Sequence, residues 1–242
     1  MQRPNVSRRG FVKVCGGMAL AAAASNRLVE PSFALDAAPR LKLVDKAGKP
    51  LKAGALEAHA NYIFNYPYVS TPCLLLRLGA ATPRNVTRSD AEKAAYTWPG
   101  GVGKDGAVVA YMAICAHGLS YDGKKASFIT YHKARSQLSA TERTITCCAH
   151  AATYDPANGA AVMSGPAEFP LAAVQFEYDA ASDELTAVGL IGTVLIDKFF
   201  DDVMVMVEDD NLRANRLALQ QTVVREFSTI ADFSEMATEG KA

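Results

Sequence analysis

Net charge is the first thing this 242-residue chain lacks, because 25 Lys and Arg balance 25 Asp and Glu. With no excess of either sign, no broad attraction to nucleic acid or to anionic lipid follows, and partners have to be met through local surfaces. Cysteine is sparse at five, and Cys15 falls in the N-terminal segment. The other four, Cys73, Cys115, Cys147 and Cys148, are too few for a disulfide scaffold of this length. Histidine occurs four times, as His59, His117, His132 and His150. No internal repeat stands out, and nothing suggests a nucleophilic triad, a phosphate loop or a nucleic-acid surface. What is present is apolar residue, half of the composition, enough for one main core with appendages.

The N-terminus reads as an address. Ser7-Arg8-Arg9-Gly10-Phe11-Val12-Lys13 places two arginines before an apolar run, Val14 to Ala24, which is the order of a twin-arginine export signal. The run is shorter than the ~20 residues of a spanning helix. Cleavage is therefore expected, with small residues around Ser32-Phe33-Ala34 and a mature chain from Leu35. That route delivers folded proteins, often already carrying a metal centre, to the periplasm. A signal retained as an anchor would instead make the protein membrane-associated. The expected division is 1–34 signal, 35–196 main domain and 197–242 an acidic, helical extension.

From Pro39 to about Gly192, short apolar runs broken by Gly, Pro, Asn and Asp give the rhythm of antiparallel β structure. Leu41 to Val44 is an expected strand, followed by a turn over Asp45 to Gly48. Cys73 to Leu78 and Val108 to Ile114 are expected buried strands, the second running into Cys115. Val174 to Tyr178 and Leu185 to Val188 form an expected hairpin with one buried face. Thr82 to Lys104 is expected as a polar surface loop. In the last stretch Leu212, Leu219, Val223, Phe227 and Ile230 mark one face of an amphipathic helix over 211–234, preceded by Glu208-Asp209-Asp210.

The chemistry concentrates in two short segments. Cys115-Ala116-His117 and Cys147-Cys148-Ala149-His150 each supply one thiol and one imidazole. The four donors alone suit a tetrahedral zinc as well as an iron centre. The downstream sequence narrows the choice: Thr153-Tyr154-Asp155-Pro156-Ala157-Asn158-Gly159, then Ser164-Gly165-Pro166-Ala167-Glu168-Phe169-Pro170-Leu171.

These motifs resemble the Rieske family from about Tyr62 to Gly192. The resemblance implies an all-β fold: a Rieske-type antiparallel β-sandwich with a cluster-binding subdomain. It also implies a [2Fe–2S] cluster held by Cys115, His117, Cys147 and His150, with thiolates on one iron and imidazoles on the other, and Tyr154 donating to a ligand sulfur. Within the family, Asn65-Tyr66-Pro67, Thr71 to Gly79, Gly101 to Gly106, Val109-Ala110-Tyr111 and Tyr178 to Leu185 look nearest to the small subunit of arsenite oxidase. That likeness implies one-electron relay from a larger catalytic subunit, of the molybdenum class, to a cytochrome or copper protein. The alternative is the iron–sulfur subunit of a quinol-oxidising cytochrome bc-type complex, with His117 or His150 bonding the quinol.

The chain departs from the family in three ways. Ser120 and Ala149 occupy the positions of a disulfide that ties the two loops in many members. Ala152 stands where many carry a serine that donates to a sulfide. His117 and Cys147 are separated by 29 residues, so Gly118 to Thr146 is expected as an added excursion. Losing a donor lowers the potential, which places the midpoint below the upper part of the roughly −150 to +300 mV Rieske range. Cys148 is expected to be a small buried residue, with a bond to Cys73 or a ligand role as alternatives. His59 and His132 are expected to be solvated or satisfied structural histidines with no role in the chemistry, and Trp98 and Met163 packing residues.

Overall fold

A computed structural model of the chain describes residues 39–67, 71–119, 128–194, 196 and 221–226. The strands in chain order are β1 (Leu41–Val44), β2 (Tyr62–Asn65), β3 (Pro72–Arg77), β4 (Val86–Ser89), β5 (Ala95–Trp98), β6 (Val108–Met112) and β7 (Ile129–His132). They continue with β8 (Thr144–Cys147), β9 (Ala152–Asp155), β10 (Ala161–Ser164), β11 (Ala173–Asp179), β12 (Glu184–Ile191), β13 (Gln221–Val223) and β14 (Arg225–Glu226). The all-β class expected from the sequence is what these residues form. Among the described residues no helix is long and apolar enough to cross a membrane. The expected export signal, residues 1–34, lies outside the described residues.

Eight strands make one sheet in the order β13-β1-β12-β11-β6-β3-β2-β14. Its two terminal strands are separated in sequence by Val224 alone, whose N–H donates to Val44 O at 2.8 Å. Asn65 N–H reaches Thr222 Oγ1 at 3.1 Å across the same junction. The sheet therefore curls until its two ends meet. All its pairings are antiparallel except β1 with β13.

Side-chain alternation along β3 and β6 divides the core in two. Cys73, Leu75, Val108, Ala110 and Met112 face inward, against Leu41, Leu43, Phe64, Leu185 and Ala187. Leu74, Leu76, Val109 and Tyr111 face outward, against Ile129, Tyr131, Ile145, Cys147 and Tyr154. Strands covered on both faces read as unbroken apolar runs, which is why these two were legible. The outer residues belong to a second sheet, β10-β9-β8-β7, held to the first partly by Asn61. Its amide donates to Tyr131 O at 3.0 Å and accepts from Tyr131 N–H at 3.1 Å, as a strand edge would.

Three expectations change. The Thr82 to Lys104 segment contains the β4–β5 hairpin, which carries Tyr96 and Trp98 into the outer core. The polar residues around it disguised the hairpin and Tyr96, whose hydroxyl packs against distant Gly192. The expected helix over 211–234 is not a helix at 221–226, where β13 pairs with β1 and β14 with β2. Here Thr222 and Val224 are buried while Val223 is exposed, a period of two, because open strand edges were available to pair. Residues 197–220 and 227–242, the rest of that extension, lie outside the described residues. Met163 is 44% exposed and is not a packing residue, whereas Trp98, at 3%, is.

Candidate metal centre

Two turns bring the donors together. The first leaves the end of β6, where the apolar run Val108 to Ile114 delivers Cys115 into the core, and Leu119 N–H closes it on Cys115 O at 2.8 Å. The second joins β8 to β9, and there Ala151 adopts a positive φ of 53°. Cys147 ends β8, paired with Ile129 of β7. The expected excursion from Gly118 to Thr146 thus supplies two strands of the sheet that carries the ligand, while residues 120–127 lie outside the described residues.

The donor atoms of Cys115, Cys147 and His150 all lie within 4.8 Å of one another. Cys147 Sγ is 3.9 Å from His150 Nδ1. His117 stands beside them, its ring edge-on to His150 with centroids 4.7 Å apart. Both thiols are fully buried, His150 is half-buried and His117 is exposed. The sulfur side of the centre faces the core and the nitrogen side faces solvent.

Polar hydrogens converge on the sulfurs. Cys115 is held below the ordinary thiol range by donation from the Cys147 thiol first, against burial, and then by the His117 amide, the Tyr154 hydroxyl and His150. Cys147 is pushed up by that same shared proton and by burial, while the amides of His150 and Ala149 pull the other way. Tyr154 OH lies 3.7 Å from Cys115 Sγ. Amide and hydroxyl donors around buried sulfur suit thiolates bound to a metal, which carry negative charge and cannot be hydrated there. The residues present therefore fit an iron–sulfur centre ligated by sulfur and nitrogen. The amides of His117, Ala149 and His150 were not foreseen; their signal is only that a two- or three-residue ligand spacing bends the backbone towards its own side chain.

The other residues singled out lie elsewhere. None of the four described cysteines forms a disulfide, so the Cys73–Cys148 alternative is excluded; Cys73 is buried and donates to Tyr66 O at 3.4 Å. Cys148 is partly exposed and not the fully buried residue expected, and its N–H bonds Phe128 O at 2.9 Å. His59 Nδ1 lies 2.7 Å from Tyr131 OH and His132 Nε2 2.9 Å from Thr146 Oγ1, both structural as expected. Ala152, at the lost serine position, is fully buried and brings no donor.

Gly165 locks a third segment over the second turn. Its φ is +90°, and a Cβ there would stand 2.5 Å from Ala151 O and 2.6 Å from Ala152 Cα. Only glycine lets the Gly165-Pro166 backbone approach the ligand turn this closely.

No family model matches the chain. Among curated proteins, the glycine–tRNA ligase beta subunit of Acidobacterium capsulatum is 51% identical over 86 residues, covering 32% of this chain and 12% of that protein. The corresponding subunit of Persephonella marina is 56% identical over 43 residues, covering 18% and 6%. The chain thus spans about an eighth or less of the length of these two relatives. Among solved structures, the soluble domain of Rieske protein II from Sulfolobus acidocaldarius aligns over 64% of this chain and 80% of its own, with 27% identity and a TM-score of 0.44.

Proposed function

We propose that this chain is a Rieske-type electron carrier, with Cys115, His117, Cys147 and His150 as the ligands of a [2Fe–2S] cluster. One observation carries the reading: two buried thiols and two imidazoles nearer the surface converge from two turns, each turn giving one of each. When bound there, such a cluster supplies one-electron storage. The chain's own residues do the rest. Amides and Tyr154 hold charge on the sulfurs, the outer core keeps water from them, and the imidazoles form the face a partner can touch.

The twin-arginine motif supports periplasmic export. The segments similar to the arsenite oxidase small subunit support relay from a larger catalytic subunit, of the molybdenum class, to a cytochrome or copper protein. A second reading, a quinol-oxidising bc-type complex, draws on the exposed ring of His117, which is open to a hydrogen-bonding ligand. A match to a small fraction of a tRNA ligase subunit brings no activity to this chain.

Metal and sulfide analysis with electron paramagnetic resonance of the dithionite-reduced protein tests the centre. Two irons and two labile sulfides per chain, with a mixed-valence signal, are expected. A single zinc, or an iron-free colourless protein, defeats the proposal. Co-purification from periplasm and membrane then separates the two complexes.

A further inference from the structure

The eight-stranded sheet opens between β6 and β11. These strands meet at one pair, Ala173 with Tyr111, and β11 shifts register against β12 between Gln175 and Phe176. Beside β6 the chain following β5 takes over instead, through the bridge of Val102 to Val108. A cavity of about 380 Å³ results. At ~30 Å³ per water-sized group it holds about a dozen heavy atoms, and it falls within the size range of small-molecule sites. It shares no lining residue with the Cys115, Cys147 and His150 centre.

Its walls are apolar: Trp98, Val109, Val174, Phe176 and Val188. Two polar side chains join them. Arg84 donates one guanidinium nitrogen to Gly101 O at 3.0 Å, and among the described residues no carboxylate pairs with it. Gln175 is half-buried, and Gly189 leaves room for it, since a Cβ there would fall 2.8 Å from Gln175 Oε1. A guanidinium with open donors presents paired N–H groups that match a carboxylate. Arg84 is exposed, so water serves those donors until a carboxylate takes its place.

We infer that this cavity binds a small apolar monocarboxylate, its hydrocarbon among the valines and Trp98 and its carboxylate on Arg84. Trp98 is the chain's sole tryptophan, so its emission reports occupancy directly. The test titrates the holoprotein with decanoate, and in parallel with decanol, following Trp98 fluorescence and calorimetric heat. Saturable one-to-one decanoate binding is expected, weakened about tenfold or more in Arg84→Gln through loss of a charge-assisted bond, with decanol binding the same in both proteins. Val188→Phe, which narrows the cavity, should weaken decanoate binding while the circular dichroism and visible spectra stay those of the parent. Absence of saturable decanoate binding overturns the inference. So does equal decanoate affinity in the parent and Arg84→Gln, a variant at an exposed position.

Discussion

The hydroxyl of Tyr154 stands 3.7 Å from the sulfur of Cys115, and both side chains are fully buried. Burial first, and then the charge at Cys115, raise the phenol's pKa, so the hydroxyl keeps its proton and donates it. In Tyr154→Phe the sulfur loses that donor with little change of shape. The midpoint should fall by tens of millivolts, given that ~1.4 kcal/mol corresponds to about 59 mV for one electron. A potentiometric titration checks this, and an unchanged midpoint would show that the contact does not tune the centre.

Gly165→Ala puts a methyl group 2.5 Å from Ala151 O at a φ of +90°. The strain alone costs ~1–3 kcal/mol, and relieving it moves the covering segment off the ligand turn. Lower melting temperature and faster loss of iron to a chelator are expected together. A variant that melts and retains iron like the parent would refute the steric argument.

His59 resists protonation in the fold because of burial first, then the positive charges of Arg143 and Lys133. The unfolded chain takes up this proton near the ordinary value of 6.5, whereas the folded chain does so only at lower pH. Stability is therefore full above that value and lost as pH falls from it towards the folded pKa. Melting curves between pH 7 and 5 should drop more steeply in the parent than in His59→Gln, and parallel curves would sink the assignment.

Thr222→Val keeps shape at the closure of the large sheet but takes the acceptor from Asn65 N–H, bonded at 3.1 Å. A loss of ~1–2 kcal/mol is expected in chemical denaturation. A neutral result would mean that water replaces the hydroxyl at this seam.

Sequence reading went furthest where neighbours in the chain decide the outcome. The spacing of Cys115 to His117 and of Cys147 to His150 put each thiol and imidazole on one turn, and Tyr154 lay in a motif tied to them. The apolar runs of β3 and β6 announced strands covered on both faces. Reading failed at Val223, whose helix-like spacing gave way to pairing with Val44, and over Thr82 to Lys104, where an expected surface loop holds the β4–β5 hairpin. Val44 lies 179 positions from Val223, and no local pattern encodes that pairing.

By itself, then, the chain order determined that each thiol shares a turn with an imidazole, and the all-β character, since turn geometry and side-chain alternation act over a few residues. Tertiary structure alone decided that the thiols lie inward and the imidazoles outward, that Val224 closes a curled sheet, and that a seam stays open between β6 and β11. Burial and strand pairing are properties of the assembled surfaces, set by which distant segments exclude water from one another.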